Sequence, residues 1–428
     1  MNNKMLVAVA VVLGLTLANQ VQAREWTPEE AVRQSIQASQ VLREYQARSN
    51  QSRFQYDEID TGNNPTLNLN GSYSYLTPTV AFQAGPSSVI SSVAYNYNLS
   101  LSFRQLITNF GQLESALEAS RLAQEVSKWQ TRDQEERLRE ETLVMFQQAA
   151  LAEDLVISAR AALKAREMAL TESNHRFKAG NVSRYDVLRS QTLLAQARQS
   201  LVEAEKESRT ARHQLFLSMG VPNTPAETLV VSQAQPESPP TDLAGATSLA
   251  LQQRADVQAA LTAHQEAQAR VDQTARSNSP RLELQSDYLR RTGTAIQSDQ
   301  QWTVAVALVV PIFDGGVTAA KTDKAREVAN QYEAIYLNSC RQAEKELAGF
   351  FEELQAKFSA IETATTALES AREAARIAQL RYRAGLSTLV EFSEAESALI
   401  EAETNLKKSR HQYQIAAVHW KRACGTNL

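Results

Sequence analysis

The chain repeats itself. Arg176-Phe177-Lys178-Ala179-Gly180 returns 205 residues later as Arg381-Tyr382-Arg383-Ala384-Gly385. The same offset pairs Gly111 with Gly316, Phe146 with Phe351, Leu163 with Leu368 and Gly220 with Gly425, without a gap over roughly 110 residues. Upstream the offset becomes 215, matching Ala31 with Ala246, Pro65 with Pro280 and Tyr73 with Tyr288. The ten-residue difference falls between Tyr75 and Leu106, so the first copy has the longer loop there. A tandem unit of about 210 residues constrains the fold strongly, because whatever one copy builds the other must build again.

Each copy has the same order of parts. The first opens with a helical pattern from Pro28 to about Asp60, capped by Thr27 and Glu30 and stopped by Asn63-Asn64-Pro65. A strand follows over Thr66–Leu76, then a loop (Thr77–Ser92), a strand at Tyr95–Phe103, a helix from Phe110 to Lys178, a break at Ala179-Gly180-Asn181 and a helix from Arg184 to Met219. The second copy reads as a helix over Asp242–Ser277, strands Arg281–Arg290 and Gln301–Val310, the step Pro311-Ile312-Phe313-Asp314-Gly315-Gly316, a helix over Val317–Arg383, a turn at Ala384-Gly385-Leu386 and a helix to Cys424. The organisation expected is a leader at 1–23, a first repeat at 24–220, a linker with five prolines at 221–241, and a second repeat at 242–428. Phe110–Lys178 is 69 residues, about 100 Å as a helix. The two shorter helices of the first copy, 33 and 36 residues, match it when stacked end to end. The expectation is a mostly α rod about 100 Å long with its strands at one end.

Those strands have two different faces. Tyr95, Tyr97, Leu99, Leu101 and Phe103 alternate with Asn96, Asn98, Ser100 and Ser102, the period of a strand between unlike surroundings. Leu282, Leu284 and Tyr288 oppose Glu283, Gln285 and Asp287, and Trp302, Val304, Val306 and Leu308 oppose Thr303, Ala305 and Ala307. Strands of about 10 residues cross a bilayer when tilted, and the aromatic residues near their ends suit an interfacial belt. A half-buried soluble sheet is the competing reading, weakened by hydrophilic second faces such as the row with Glu283 and Asp287. Four strands cannot close in lipid, where each unpaired backbone group costs several kcal/mol and a barrel takes about eight strands or more. Copies must therefore pool their strands.

The ends of the chain and its totals agree. Lys4, an apolar run over Met5–Leu17 and the exit Val21-Gln22-Ala23 describe a cleavable secretory leader. A net charge of −4 offers nothing to nucleic acid. Cys340 and Cys424 fall out of register by about 10 Å on antiparallel helices, beyond disulfide reach. Five histidines show no metal-ligand spacing, and no nucleophile–base constellation occurs, so neither enzyme chemistry nor a cofactor is expected.

The duplicated frame, the Pro311–Gly316 step with its degenerate counterpart Leu106–Gly111, and the two Arg-aromatic-basic-Ala-Gly turns resemble the TolC family of outer-membrane efflux proteins across essentially the whole mature chain. The resemblance implies a homotrimer whose twelve strands form one β-barrel in outer-membrane lipid, continuous with a periplasmic α-helical barrel. It implies a passive duct serving an inner-membrane pump through a periplasmic adaptor, in efflux or in type I secretion. Arg176, Lys178, Ala179, Gly180, Arg381, Arg383, Ala384 and Gly385 match the adaptor-contacting tips. Asp186, Glu391, Glu394 and Tyr382 match the periplasmic entrance, where three copies would bring acidic side chains around one opening. Ser387 stands where relatives can carry a basic residue, which puts a latch through that position in doubt. Pro311, Gly315, Gly316 and Gly111 match the strand-to-helix turns, and Tyr95, Tyr97, Leu99, Leu101, Phe103 and Trp302 would face the membrane. A structural or adhesive coiled-coil protein without a pore is the alternative.

Overall fold

The computed structural model describes residues 25–75, 77, 81–84, 87–90, 95–224, 227–230, 237–292 and 300–426; the expected leader lies outside them. The chain is mostly helical. Its elements run β1 (Glu25–Trp26), α1 (Pro28–Ala38), α2 (Gln40–Thr61), β2 (Thr66–Tyr75), β3 (Ala81–Ala84), β4 (Ser87–Ile90), β5 (Tyr95–Thr108), α3 (Gln112–Lys178) and α4 (Arg184–Ser218). Then come β6 (Thr228–Leu229), α5 (Leu243–Gln253), α6 (Ala255–Ala275), β7 (Arg281–Thr292), β8 (Gln300–Val309), α7 (Val317–Arg383) and α8 (Leu389–Ala423). α3 and α7 are each 67 residues, and α4 and α8 each 35.

The chain divides into two compact units, and each draws on both sequence halves: Met1–Leu42 with Gln134–Ala250 and Glu344–Leu428, and Arg43–Asp133 with Leu251–Ala343.

In the second unit four strands form an antiparallel sheet in the order β2-β5-β7-β8. Its register puts like beside like: Tyr73 opposite Tyr97, Leu69 opposite Leu101, Leu101 opposite Tyr288, and Tyr288 opposite Trp302. One face therefore carries Leu67, Leu69, Tyr73, Tyr75, Tyr95, Tyr97, Leu99 and Leu101 continuous with Trp302, Val304, Val306 and Leu308, all exposed. The tyrosines cluster, with Tyr73 and Tyr97 ring centroids 4.9 Å apart and Tyr75 and Tyr95 at 5.1 Å, while the Trp302 indole N–H donates to Ser286 Oγ at 2.9 Å. β2 and β8 are the two edges of the sheet. The longer loop of the first half holds a hairpin, β3 paired with β4. Beside the sheet, Ala119, Leu122 and Ala269 form a small core.

Two departures from the sequence reading have local causes. The helices that open each half are broken, at Ser39 and at Arg254, where ψ turns to 116° and 126°. Ser39 Oγ accepts the N–H of Leu42 at 3.1 Å and so caps a new helix. Arg254 is held by Asp256 at 2.7 Å. Neither break involves glycine or proline. β5 also runs past Phe103 to Thr108, keeping its register against β7 through Gln105, where the alternation lapses, and shifting it at a bulge between Leu106 and Thr108.

The strand-to-helix turns are built alike. Asp314 accepts the N–H of Gly316 at 2.9 Å and of Thr318 at 2.8 Å, and Gly315 and Gly316 take positive φ. Asn109, 205 residues earlier, accepts from the N–H of Leu113 at 3.1 Å. Where the second half has Gly315 the first has Phe110, at φ 53°, a left-handed conformation that costs a residue with a Cβ about 1–2 kcal/mol.

The first unit has two apolar clusters. Trp26, Ala31, Phe146, Ala149, Leu215, Phe216 and Met219 make one, closed by the parallel pairing of β1 with β6 and by the Trp26 indole donating to Glu227 at 2.5 Å. Leu347, Leu354, Leu406, Tyr413, Ala416 and Trp420 anchor the other. Each stabilises its helices mainly through apolar burial, at about 25 cal/mol per Å².

Candidate functional site

The turns between the long and short helices are Schellman caps. Gly180 and Gly385 take φ near +74° and +73°. The N–H of Asn181 reaches the Arg176 carbonyl at 2.9 Å and that of Leu386 the Arg381 carbonyl at 2.8 Å, which uses carbonyls the helix end would otherwise leave unpaired. Each following helix is capped in turn. Ser183 Oγ accepts the N–H of Asp186, and Asp186 accepts both the N–H and the hydroxyl of Ser183, at 2.9 and 2.8 Å. Thr388 accepts from the N–H of Glu391 at 3.2 Å. The Asp186 carboxylate is thus engaged at its own helix start, while Glu391 and Glu394 are exposed. Lys178, Ala179, Gly180, Arg381, Arg383, Ala384 and Gly385 are all exposed.

The two turns meet through Arg176 and Tyr382. The Arg176 guanidinium donates to the backbone carbonyl of Tyr382 at 2.9 Å, lies 4.4 Å from its ring centroid, and is oriented by Glu172 at 2.7 Å. The Tyr382 ring is buried and stacks on Phe392, 5.2 Å away and nearly parallel. Its hydroxyl is buried without a hydrogen-bond partner among the described residues, as is that of Ser387. A basic group of the first turn, Arg176, thus contacts the second turn, where position 387 is a serine.

Above the turns, α3 and α8 are joined by a polar seam that the sequence reading missed. Arg166 forms an ion pair with Glu396 at 2.6 Å, their side chains 8% and 18% exposed, and donates to Ser397 at 2.9 Å. His411 lies between Gln147 and Asp154, at 3.0 and 3.2 Å, and Lys407 donates to Ser158 at 2.8 Å. Glu140 takes His419 at 2.6 Å and Arg422 at 2.8 Å. Burial pushes the Glu140 carboxyl up, but the hydrogen bond from His419 and the charges of Arg422 and His419 outweigh it and hold the group below its usual range. One by one these residues look like ordinary helix-surface charges; only the partners across the seam distinguish them.

Among the described residues no group of His, Cys, Asp and Glu could hold a metal ion, and no helix is long and apolar enough to cross a membrane. The second statement does not bear on the sheet.

Comparison with known proteins agrees with this architecture. AprF, an alkaline protease secretion protein of Pseudomonas aeruginosa, is 26% identical over 307 residues, which cover 67% of this chain and 60% of that one. Among solved structures, CusC superimposes with a TM-score of 0.80 at 19% identity, covering 94% of this chain and 92% of that chain. The outer membrane protein VceC of Vibrio cholerae gives 0.75 at 18% identity, covering 94% and 96%. Residues 31–221 and 246–426 match the outer membrane efflux protein model, and with most of its length matched the chain belongs to the outer membrane efflux protein family.

Proposed function

We propose that the protein is the outer-membrane channel of a tripartite efflux or type I secretion system, a passive duct gated at its helix turns. One observation carries the reading: a four-stranded sheet with one continuous exposed apolar face and two open edges. In water that face would be a liability; in a bilayer it is the required outer surface. The edges then demand partners, because unpaired strand groups in lipid cost several kcal/mol each. Three copies supply twelve strands and close a barrel, the assembly the family resemblance implies. Arg290, which shares the apolar face, pairs with Gln300 near the strand ends, where a basic residue costs little.

In this reading the Arg176–Tyr382 contact holds the two turns of a chain together in the closed state. Glu391 and Glu394, with Asp186, provide the negative charge at the entrance, and the exposed turn residues receive a periplasmic adaptor coupled to an inner-membrane pump. Planar-bilayer recording of the purified protein tests the reading. Cation-selective steps whose selectivity falls in Glu391→Gln/Glu394→Gln support duct and charge ring together. Anion selectivity refutes the ring, and a monomer that stays in the soluble periplasmic fraction refutes the duct.

A further inference from the structure

Among the described residues, the apolar face of the sheet carries one charged side chain, Arg290 of β7. Register sets it between Leu99 of β5 and Gln300 of β8. The next row toward the helices holds Leu101, Tyr288 and Trp302, and the row on the other side of it holds the opposed pair Tyr73 and Tyr97. Arg290 thus lies inside a belt of aromatic rings. Its side chain is exposed and has no ion-pair partner among the described residues. The acidic residues of the same strand, Glu283 and Asp287, alternate onto the other face, where Glu283 takes Arg281 at 3.3 Å. Under the 215-residue offset the first half has Tyr75 at this position, so each chain carries the charge once.

Position along the strand sets the depth of this charge. Leu282, the first apolar residue of β7 on this face, lies eight residues before Arg290, about 27 Å along a strand and about 21 Å in height at a tilt of about 40°. The outward apolar band of a barrel is about 25 Å tall and ends in aromatic girdles. Arg290 therefore reaches headgroup level at the end of the sheet away from the helices. The opposite charges within reach there are lipid phosphates, and a guanidinium binds phosphate through paired N–H donors. We propose that Arg290 is a lipid site: it binds the headgroup phosphate of an anionic membrane lipid, one per chain, while the acyl chains lie over Leu101, Tyr288 and Trp302. The inference rests on the barrel reading above and names a ligand for its outer face. A phosphate without its own counter-charge is the class that fits, because a zwitterionic headgroup brings a cation that competes with Arg290. Arg291, next in sequence, alternates to the other face beside Asn98. It has the same charge at the same depth, turned away from lipid.

The test uses the full chain in a neutral detergent, titrated with phosphatidylglycerol or with phosphatidylcholine of the same acyl chains, bound lipid being counted by native mass measurement. The parent should retain phosphatidylglycerol in preference. Arg290→Gln should weaken that binding about fivefold and leave phosphatidylcholine unchanged, while Arg291→Gln behaves as the parent. Free glycerol phosphate should not displace the lipid, whose acyl chains add to the affinity; displacement at matched concentration would assign Arg290 to a soluble phosphate and overturn the lipid. Equal affinity of the parent for the two lipids, or an equal loss in Arg290→Gln and Arg291→Gln, also overturns the site. Flotation with vesicles of the same lipids separates this from the barrel reading. A chain that floats but shows no preference sinks the lipid site alone, and a chain that neither floats nor retains either lipid sinks both.

Discussion

Replacing Arg176 by alanine should loosen the helix turns without unfolding the protein. The side chain is 20% exposed and makes two contacts with Tyr382, a charged hydrogen bond to the carbonyl and a cation–π contact with the ring. A charged hydrogen bond contributes about 1.5–3 kcal/mol and a cation–π contact about 0.5–2 kcal/mol. Both use one guanidinium, so they do not add fully, and partial exposure weakens them. A working value is about 2 kcal/mol per chain, about thirtyfold in the fraction of time that a turn is released. Glu172, 53% exposed, returns to water at little cost. Tyr382→Phe is the informative companion: it keeps both contacts and removes a buried hydroxyl without a partner among the described residues, so it should be neutral or stabilising by up to about 1 kcal/mol. Open probability in planar bilayers, at fixed voltage and salt, measures both variants. Arg176→Ala should open more often while Tyr382→Phe behaves like the parent. If Tyr382→Phe opens as readily as Arg176→Ala, the hydroxyl is the latch and the reasoning fails.

Phe110→Gly should stabilise the protein by about 0.5–1 kcal/mol, since relief of the left-handed strain exceeds the extra chain entropy of glycine; a higher denaturant midpoint would show it. Arg166→Ala should cost about 3–5 kcal/mol by leaving Glu396 buried and uncompensated, whereas Arg166→Met/Glu396→Leu together should come close to neutral, read as two thermal midpoints. Phe146→Ala should cost about 3–5 kcal/mol, because the ring is fully buried in the cluster around Trp26. The lowered pKa of Glu140 stabilises the fold above the ordinary carboxylate range, and that contribution is lost as pH falls through the folded value. Glu140→Gln should therefore flatten the acid limb of the stability profile in circular-dichroism melts.

The features the sequence displayed most openly are those written in short periods. Alternation over Tyr95–Phe103 marked a strand, the glycines at 180 and 385 marked turns, and runs free of proline marked the long helices. The breaks at Ser39 and Arg254 escaped because neither falls on a glycine or a proline, and at Ser39 a side-chain cap suffices to start the next helix. The seam was less legible for another reason. Arg166, Glu396, His411 and Glu140 sit on helices full of similar side chains, and only packing of elements some 230 to 280 residues apart separates a buried pair from a solvated one. The pairing of β5 with β7 is likewise non-local, and alternation says which face a residue takes without saying which strand lies beside it.

The apolar sheet face also bears on the life of a single chain before it has partners. Ile312 and Phe313, 94% and 86% exposed, add further open apolar surface just past the end of edge strand β8. An exposed hydrophobic strand with an open edge is a template for indiscriminate pairing, and a chain emerging into an aqueous compartment would present two such edges at once. Such a chain gains most by burying that face and both edges in one concerted event.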